Sequence, residues 1–280
     1  MESRSAELLL LARENKHARD EHISFEESTH TYTVRGQKVG ISVTGLIASV
    51  ETEHFDAPCI AAQLAASARP SERYSTFDEA TQTRIPLKAE EILGLWDLAR
   101  DLGTDLHAKI ERALNGLPVV FDSDNAPNAV EFAQFQRWWA EQLAAGYEAY
   151  RTEWVIYEGP QLAGSIDFLM KNKATGELSI VDWKRCLTSG SGFSSAWKGK
   201  KMLPPLHHLE ETKLNHWKVQ VNIYRAILEK HYGVKIAEMM MVVLYADQRE
   251  AVVFTHEREE AAVDALISSL SVPGADPVSL

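Results

Sequence analysis

The sequence predicts an α+β fold in which helices flank a mixed central sheet. Two observations lead to this fold class. Apolar residues recur at helical spacing over residues 87–115 and 130–145, and from residue 148 to residue 185 they alternate with a period of two. From residue 88 onward the predicted elements follow the order α-α-β-β-β-α-β. This order is typical of a single α+β domain built around a mixed sheet.

The first part of the chain, residues 1–86, is predicted to be an N-terminal elaboration of this domain. Residues 5–19 have the pattern of a short helix, and the alternation over residues 22–44 predicts a β-hairpin or meander. Residues 55–85 have a mixed pattern, and we expect them to be partly helical.

The main domain is predicted to cover residues 87–271. Gly116, Gly146 and Gly233 end its three long helices, since glycine is the usual residue just past a helix. Gly103 could divide the first of them into two. The predicted helices are 87–115, 130–145, 213–231 and 257–270, and the predicted strands are 148–157, 162–170, 178–185, 239–246 and 251–256. The tail, residues 272–280, is predicted to be disordered.

The composition limits the classes of function. A hydrophobic fraction of 45% and a charged fraction of 25% are ordinary for a globular protein. The net charge of −11 argues against a general nucleic-acid coat protein, because unspecific phosphate binding needs a basic surface. It does not exclude a nuclease, whose acidic centre recruits cations.

Cysteines and apolar runs indicate a soluble intracellular protein, cytoplasmic or, depending on its source, nuclear or viral. Cys59 and Cys186 lie far apart, which excludes a disulfide framework and a four-cysteine zinc or iron–sulfur site. The N-terminal apolar run, residues 8–12, is too short for a signal peptide or a membrane span.

The segment from residue 162 to residue 185 carries the strongest chemical signal. If residues 174 and 175 form the centre of an antiparallel turn, Asp167 pairs with Asp182, and the Cβ atoms lie about 5 Å apart. Lys184 then emerges on the same face as Asp182. Two opposed carboxylates repel unless a cation lies between them, and hard divalent cations prefer such oxygen ligands. The alternative is a solvated sheet edge with an ordinary Asp–Lys pair.

Two further residues could join this centre. A turn centred on Gly159 would pair Glu153 with Ser165, which places Glu153 on the face of Asp167. The alternative for Glu153 is an edge-strand charge. His107 shares a helix stripe with apolar residues and points towards the sheet, where its imidazole could ligate Mn²⁺ or act simply as a core residue.

The region from residue 184 to residue 224 has features suited to nucleic acid. Gln220 and Tyr224 lie one helical turn apart and can donate to phosphate oxygens, or else form a half-buried helix face. Residues 184–218 contain seven basic and two acidic residues, a net charge of +5 inside an acidic chain, interleaved with aromatic residues. That combination suits a backbone-tracking, base-stacking surface, although a flexible surface loop would have the same composition.

Together these motifs resemble the PD-(D/E)XK nuclease superfamily, particularly its RecB-like and lambda-exonuclease-like branch. The resemblance covers residues 95–246. It depends on five motifs in family order: Gly103-Thr-x-x-His107, Glu153, Gly164-Ser-Ile-Asp167, Asp182-Trp-Lys184 and Gln220-x-x-x-Tyr224. The stretch Ser42-Val-Thr44 also resembles stand-alone members from viruses and phages, in the broad group that includes mitochondrial genome-maintenance exonucleases.

The resemblance implies a restriction-endonuclease-like αβββαβ core and a role for each matched residue. Lys184, Asp167, Asp182 and Glu153 would be catalytic. His107, Asp167, Asp182 and the carbonyl of Trp183 would bind two Mg²⁺ or Mn²⁺ ions. The substrate-binding residues, including those taken from the basic segment, would be Gln220, Tyr224, Arg185, Lys198, Lys200, Lys201 and Trp217.

The expected function is a metal-dependent DNA exonuclease in recombination, repair or replication, acting on single- or double-stranded DNA without membrane association. The chain has neither an iron–sulfur cysteine cluster nor a GxxxxGK[ST] loop, so we expect no cluster and no nucleotide cofactor. The alternatives are a structure- or sequence-specific endonuclease of the same fold and a catalytically silent nucleic-acid-binding module.

Overall fold

A computed structural model describes residues 8–53, 55–123, 126–186 and 199–270. The predicted tail 272–280 and Lys198 lie outside these ranges. The chain forms two compact units. The first unit contains the described residues up to Thr52 and those from Leu106 onward, and the second contains Glu53–Asp105. From the sequence, the N-terminal elaboration was predicted to end at residue 86.

The fold class is confirmed: the first unit is an α+β domain with a mixed central sheet. Its N-terminal elements are α1 (Leu10–Glu14), β1 (Ile23–Glu26), β2 (Thr31–Val34), β3 (Gln37–Lys38), β4 (Ile41–Ser42) and α2 (Val43–Ala48). Four helices and strands lie between α2 and α5 in the chain, and all or part of each belongs to the second unit. The later elements are α5 (Ala129–Ala144), β7 (Tyr147–Tyr157), β8 (Leu162–Asn172), β9 (Leu178–Cys186), α6 (Lys213–His231), β10 (Ile236–Tyr245), β11 (Val252–Thr255) and α7 (Glu260–Ser269).

The central sheet has six strands. Its order is β11-β10-β9-β8-β4, and β7 pairs with β8 as well. The pairs β9–β10 and β4–β8 are parallel, whereas β7–β8, β8–β9 and β10–β11 are antiparallel. Strands β1, β2 and β3 form a separate antiparallel sheet. Strand β4 extends the central sheet, so the N-terminal strands belong to the first unit.

Strand β8 has a stretch without a described ladder partner on one side, and Asp167 lies at the end of that stretch. One side of β8 pairs with β7 along most of its length. The other side pairs with β4 at Leu162 and Ala163 and with β9 from Phe168 to Lys171. Residues 164–167 therefore have no described backbone partner on that side. Residues two apart on a strand normally point to the same face of the sheet. Ile166 and Phe168, however, belong to different core clusters. The side chains therefore change face at Asp167.

Helices cover both faces of the central sheet. On one face α2, α6 and α7 pack against the strands through residues such as Leu46, Ile223 and Leu266. On the other face α5 and the described chain from Leu106 onward pack through Phe135 and Ile110. These side chains are almost fully buried, and each such burial contributes about 1.5–3 kcal/mol.

The second unit contains α3 (Ala57–Ala65), a hairpin of β5 (Ser75–Asp78) and β6 (Thr83–Pro86), and the first part of α4 (Ala89–Leu114). Trp96 of α4 donates from its indole Nε1 to Tyr74 Oη at 2.9 Å. Ile92 is completely buried. Residues 55–85 are thus only partly helical, as expected, but the pattern did not reveal the hairpin.

Several predicted boundaries were wrong. Residues 5–19 do not form one helix over their described part, because α1 ends at Glu14 and a short 3-10 turn, Ala18–His22, follows. His17 and Asp20 form a capping box that starts this turn separately. Gly103 does not divide helix α4, which is continuous. A glycine inside a helix lowers its stability by only about 1 kcal/mol and does not break it.

Within the described residues, no helix is both long enough and apolar enough to cross a membrane.

The buried His256, which follows β11, should make stability depend on pH. Burial and, to a lesser extent, the charge of Lys218 lower the pKa of His256 from 6.5 to about 4. Between these values the unfolded chain binds a proton that the folded chain does not. The free energy of unfolding should therefore fall by about 3 kcal/mol as the pH decreases from 7 to below 4.

This effect can be isolated with His256→Leu by urea unfolding at pH 7.5 and pH 4.5. We expect the variant to lose less stability than the wild type over this interval. An equal loss in both proteins would contradict the assignment to His256.

Candidate active site

The predicted register of β8 and β9 is confirmed. The ladder pairs Phe168 with Val181 and continues to Lys171 with Leu178, so the residue numbers of each pair have the predicted constant sum. Asp167 and Asp182 occupy the next positions of this register, where the ladder stops. In place of a ladder bond, the Trp183 backbone N–H donates to Asp167 Oδ2 at 2.9 Å. The two strands therefore part where the predicted acidic residues lie.

Three side chains from different elements converge beside this point. One potential ligand atom from each of His107, Glu153 and Asp167 lies within 4.8 Å of the others. His107 Nδ1 is 3.6 Å from Asp167 Oδ2. One imidazole and two carboxylates form a donor set suited to Mn²⁺, and to Mg²⁺ if water completes the shell. The residues present thus fit the divalent cation that the resemblance implies.

The orientation of His107 favours a ligand role. Its Nε2 lies 3.1 Å from the carbonyl oxygen of Trp183, which can only accept a hydrogen bond. Nε2 must therefore carry the proton in a neutral ring, which leaves a lone pair on Nδ1, the atom nearer Asp167. The Trp183 carbonyl, which was predicted to be a metal ligand, accepts this hydrogen bond in the structure.

Glu153 reaches the site by a different register from the predicted one. The β7–β8 ladder pairs Val155, not Glu153, with Ser165, because the turn is centred on Pro160 rather than Gly159. Glu153 is opposite Asp167 but makes no ladder pair with it, and its φ of 45° lies in the left-handed region. The side chain still contacts Ser165, whose Oγ donates to Glu153 Oε2 at 3.2 Å.

Asp182 and Lys184 form a buried ion pair beside the three side chains. Lys184 Nζ lies 2.6 Å from Asp182 Oδ2, and the side chains are 23% and 4% exposed. Asp182 is not one of the three residues with mutually close ligand atoms in the described chain. Between the two, Trp183 points to the opposite face, where its ring packs against Phe135 and Trp138. This packing fixes the strand that carries the pair.

The charges of this pair are set by burial and by each other. Burial, together with the charge of Asp167, raises the pKa of Asp182 from 3.8 to about 6, although Lys184 and His107 oppose the increase. Burial lowers the pKa of Lys184, but the carboxylates of Asp182 and Asp167 outweigh it, so the net pKa is raised. Lys184 is therefore a cation at neutral pH, suited to stabilising negative charge.

Gln220 and Tyr224 lie against the same site. Gln220 Nε2 donates to Tyr224 Oη at 3.1 Å, and the tyrosine is only 3% exposed. Burial raises the pKa of Tyr224 well above its ordinary value, and the charges of Asp182 and Asp167 add to this increase. Gly164 is required here, since a Cβ would lie 2.8 Å from Tyr224 Cε1 and 2.9 Å from Val43 Cγ2.

The predicted substrate-binding residues differ in their surroundings. Trp217 is half-buried, and its ring centre lies 5.8 Å from Lys184 Nζ. Lys200 is half-buried, and Lys201 is exposed and forms an isolated β-bridge with Glu210. Lys198 lies outside the described residues.

Arg185 does not have the predicted role of a surface contact. Its side chain is 7% exposed, with Nη2 2.8 Å from Glu131 Oε1, and its Nε donates to Asn128 Oδ1 at 2.7 Å. Strand alternation points Arg185 away from Lys184 and towards α5. The residue therefore connects the sheet to a helix, and composition alone could not distinguish this role from a phosphate contact.

One residue near the site was not identified from the sequence. Tyr32, in β2, is 7% exposed, and its pKa is raised to about 12 by burial and then by the charge of Glu153. The alternating pattern of residues 22–44 predicted the hairpin, but a tyrosine at a buried position gave no chemical signal.

No family model matches this chain, and no curated protein matches it. One similar chain among solved structures is the crystal structure of SSO0001, with 16% sequence identity and a TM-score of 0.25. The match covers 50% of this chain and 58% of that chain. A likeness of this strength carries no argument about fold or function.

Proposed function

We propose that this chain is a divalent-metal-dependent DNA exonuclease of the PD-(D/E)XK superfamily. The observation that carries the proposal is the convergence of His107, Glu153 and Asp167 beside the buried Asp182–Lys184 pair. An ordinary surface ion pair, or a solvated sheet edge, would need only Asp182 and Lys184. It would not require an imidazole and two more carboxylates from three other elements to meet beside that pair. Carboxylates gathered at one point repel one another unless cations lie among them, and Lys184 supplies one positive charge to three carboxylates.

The element order supports the finer fold assignment that this proposal includes. Helices α4 and α5 are followed by the antiparallel strands β7, β8 and β9. Helix α6 then leads to β10, which pairs in parallel with β9. We propose that this arrangement is a restriction-endonuclease-like core. The predicted acidic residues and the lysine lie where the ladder between β8 and β9 stops, beside Asp167.

The residues have separate roles in the proposed hydrolysis. A divalent cation, when bound, would neutralise phosphate charge and activate water for in-line attack. His107, Glu153 and Asp167 would hold it, and Asp182 would keep the Lys184 ammonium group beside it through their ion pair. Lys184 would stabilise the charge that develops on the phosphoryl oxygens. The hydrogen-bonded Gln220–Tyr224 pair would contact the substrate strand.

The proposal is tested with purified protein on end-labelled linear DNA, single- and double-stranded, and on covalently closed circular DNA. We expect Mg²⁺ or Mn²⁺ to permit release of nucleotides from linear DNA, and chelator to abolish it. The closed circle should survive, because an exonuclease requires an end.

Rapid nicking of the closed circle would replace the exonuclease assignment with an endonuclease of the same chemistry. Binding of DNA without cleavage under every metal condition would contradict the enzyme and support a silent binding module.

A further inference from the structure

Strand β11 (Val252–Thr255) forms one edge of the central sheet. It pairs with β10 on one side, and within the described residues no strand lies along its other side. None of its four residues is charged, and Val252 and Val253 are 36% and 40% exposed. Edge strands of native proteins are usually protected by charged residues or proline, because an open apolar edge pairs readily with another strand. Strand β11 has neither of these protections.

The backbone hydrogen-bonding groups of β11 alternate in direction, and one observed bond fixes which residues face outward. The N–H of His256, directly after the strand, donates to the Met239 carbonyl oxygen at 2.9 Å. In an antiparallel ladder only every second residue bonds to the neighbouring strand. Phe254 and Val252 therefore also face β10, whereas the N–H and C=O groups of Val253 point outward. A second strand can bind at this edge without displacing any hydrogen bond to β10.

Positive charge is in excess at the start of β11. Arg249 is exposed, and its Nε lies 3.7 Å from Glu250 Oε1. Arg137 of α5 contacts the same carboxylate, with its Nε 3.5 Å from Glu250 Oε2. Two guanidinium groups thus surround one carboxylate group at this end of the strand.

Negative charge is in excess at the other end of β11. Arg258 is paired with Glu229 at 3.0 Å and with Glu260 at 3.2 Å, and Glu257 beside it is exposed. The carboxylate groups therefore outnumber the guanidinium group here. A second β11 in antiparallel orientation would bring the basic start of each strand against the acidic end of the other, and such opposed charges attract. The edge is thus complementary to a second copy of itself.

We propose that two copies of the chain associate by antiparallel pairing of their β11 strands around a two-fold axis at Val253. This residue is the outward-facing one nearest the middle of the strand, and the two copies of it would exchange N–H and C=O hydrogen bonds. In this register Val252 lies opposite Phe254 of the second copy, and Arg249 lies opposite Glu257 of the second copy. The two central sheets would become one continuous sheet across an isologous interface. The inference concerns assembly and is independent of the proposed cleavage of DNA.

The test measures the dimer dissociation constant of the metal-free full chain by sedimentation equilibrium. We expect a monomer–dimer equilibrium in the micromolar range, because a short strand pair buries little surface. Val253→Pro removes the outward N–H but no hydrogen bond to β10, so it should raise the dissociation constant at least about tenfold. Its thermal midpoint, measured where the wild type is monomeric, should stay close to that of the wild type. Leu98→Lys is the control, since it changes an exposed apolar residue of the second unit, and it should dimerise like the wild type.

Charge reversal tests the antiparallel orientation with residues that lie outside β11 and leave its ladder intact. Arg249→Glu and Glu257→Arg should each weaken association, because each sets like charges opposite one another. The double variant should restore the dissociation constant of the wild type. A chain that stays monomeric at every concentration, or a dimer that is insensitive to Val253→Pro, would overturn the proposal. A double variant that associates no better than the single variants would overturn it as well.

Discussion

Lys184→Ala should reduce the rate of DNA cleavage about 10²–10³-fold while leaving DNA affinity nearly unchanged. Lys184 Nζ lies 2.6 Å from Asp182 Oδ2, and its raised pKa keeps it charged. Removing one preorganised group that stabilises transition-state charge has an effect of this size. Single-turnover cleavage and a separate binding assay in Ca²⁺ distinguish the chemical step from binding.

Asp167→Asn should cause a loss at least as large, because Asp167 both contributes to the ligand cluster and accepts the Trp183 N–H. Lys171→Ala is the control. Lys171 lies on the same strand as Asp167, but its exposed side chain faces Glu148 at 3.8 Å. Cleavage at near wild-type rates by Lys184→Ala would remove Lys184 from the proposed mechanism.

Glu131→Ala should destabilise the fold by about 3–5 kcal/mol, the second large effect that we expect. Glu131 and Arg185 are 3% and 7% exposed and form a 2.8 Å ion pair between α5 and β9. Removal of Glu131 leaves a buried guanidinium without its counter-charge, which is far more damaging than removal of both groups. The double variant Glu131→Leu/Arg185→Met should therefore recover much of the loss. Urea unfolding of the metal-free protein measures both changes.

An exposed pair provides the control for this prediction. Arg100 and Asp97 form a 2.8 Å pair in which the side chains are 68% and 62% exposed. Asp97→Ala should leave the free energy of unfolding almost unchanged, because water screens such pairs. If Glu131→Ala is no more destabilising than Asp97→Ala, the buried pair does not connect helix and sheet as described.

The sequence predicted those features of the site that follow from local periodicity. Strand alternation and a single turn were sufficient to set the register of β8 against β9, because the intervening loop is short and its turn residues are identifiable. The same argument was wrong by two residues for β7 and β8. The predicted turn was centred on Gly159, whereas the observed register centres it on Pro160. The left-handed backbone of Glu153 has no sequence signature.

Features that depend on long-range contacts were not predictable. The strand β4, which pairs with β8 at Leu162 and Ala163, is only two residues long and too short to give a pattern. Arg185 and Lys184 are adjacent basic residues, yet one is buried against α5 and the other faces Asp182. Tyr32 is buried against Tyr157 and Ala163 only because the hairpin packs on the central sheet. In each case tertiary packing, rather than local propensity, decided the outcome.

The measurement that tests the central claim most directly is the anomalous diffraction of crystals grown with Mn²⁺. We expect a manganese peak within about 2.3 Å of His107 Nδ1 and of carboxylate oxygens from Asp167 and Glu153. The peak should disappear in Asp167→Asn crystals under the same conditions. A fully occupied manganese ion elsewhere, with none between these three side chains, would contradict the account.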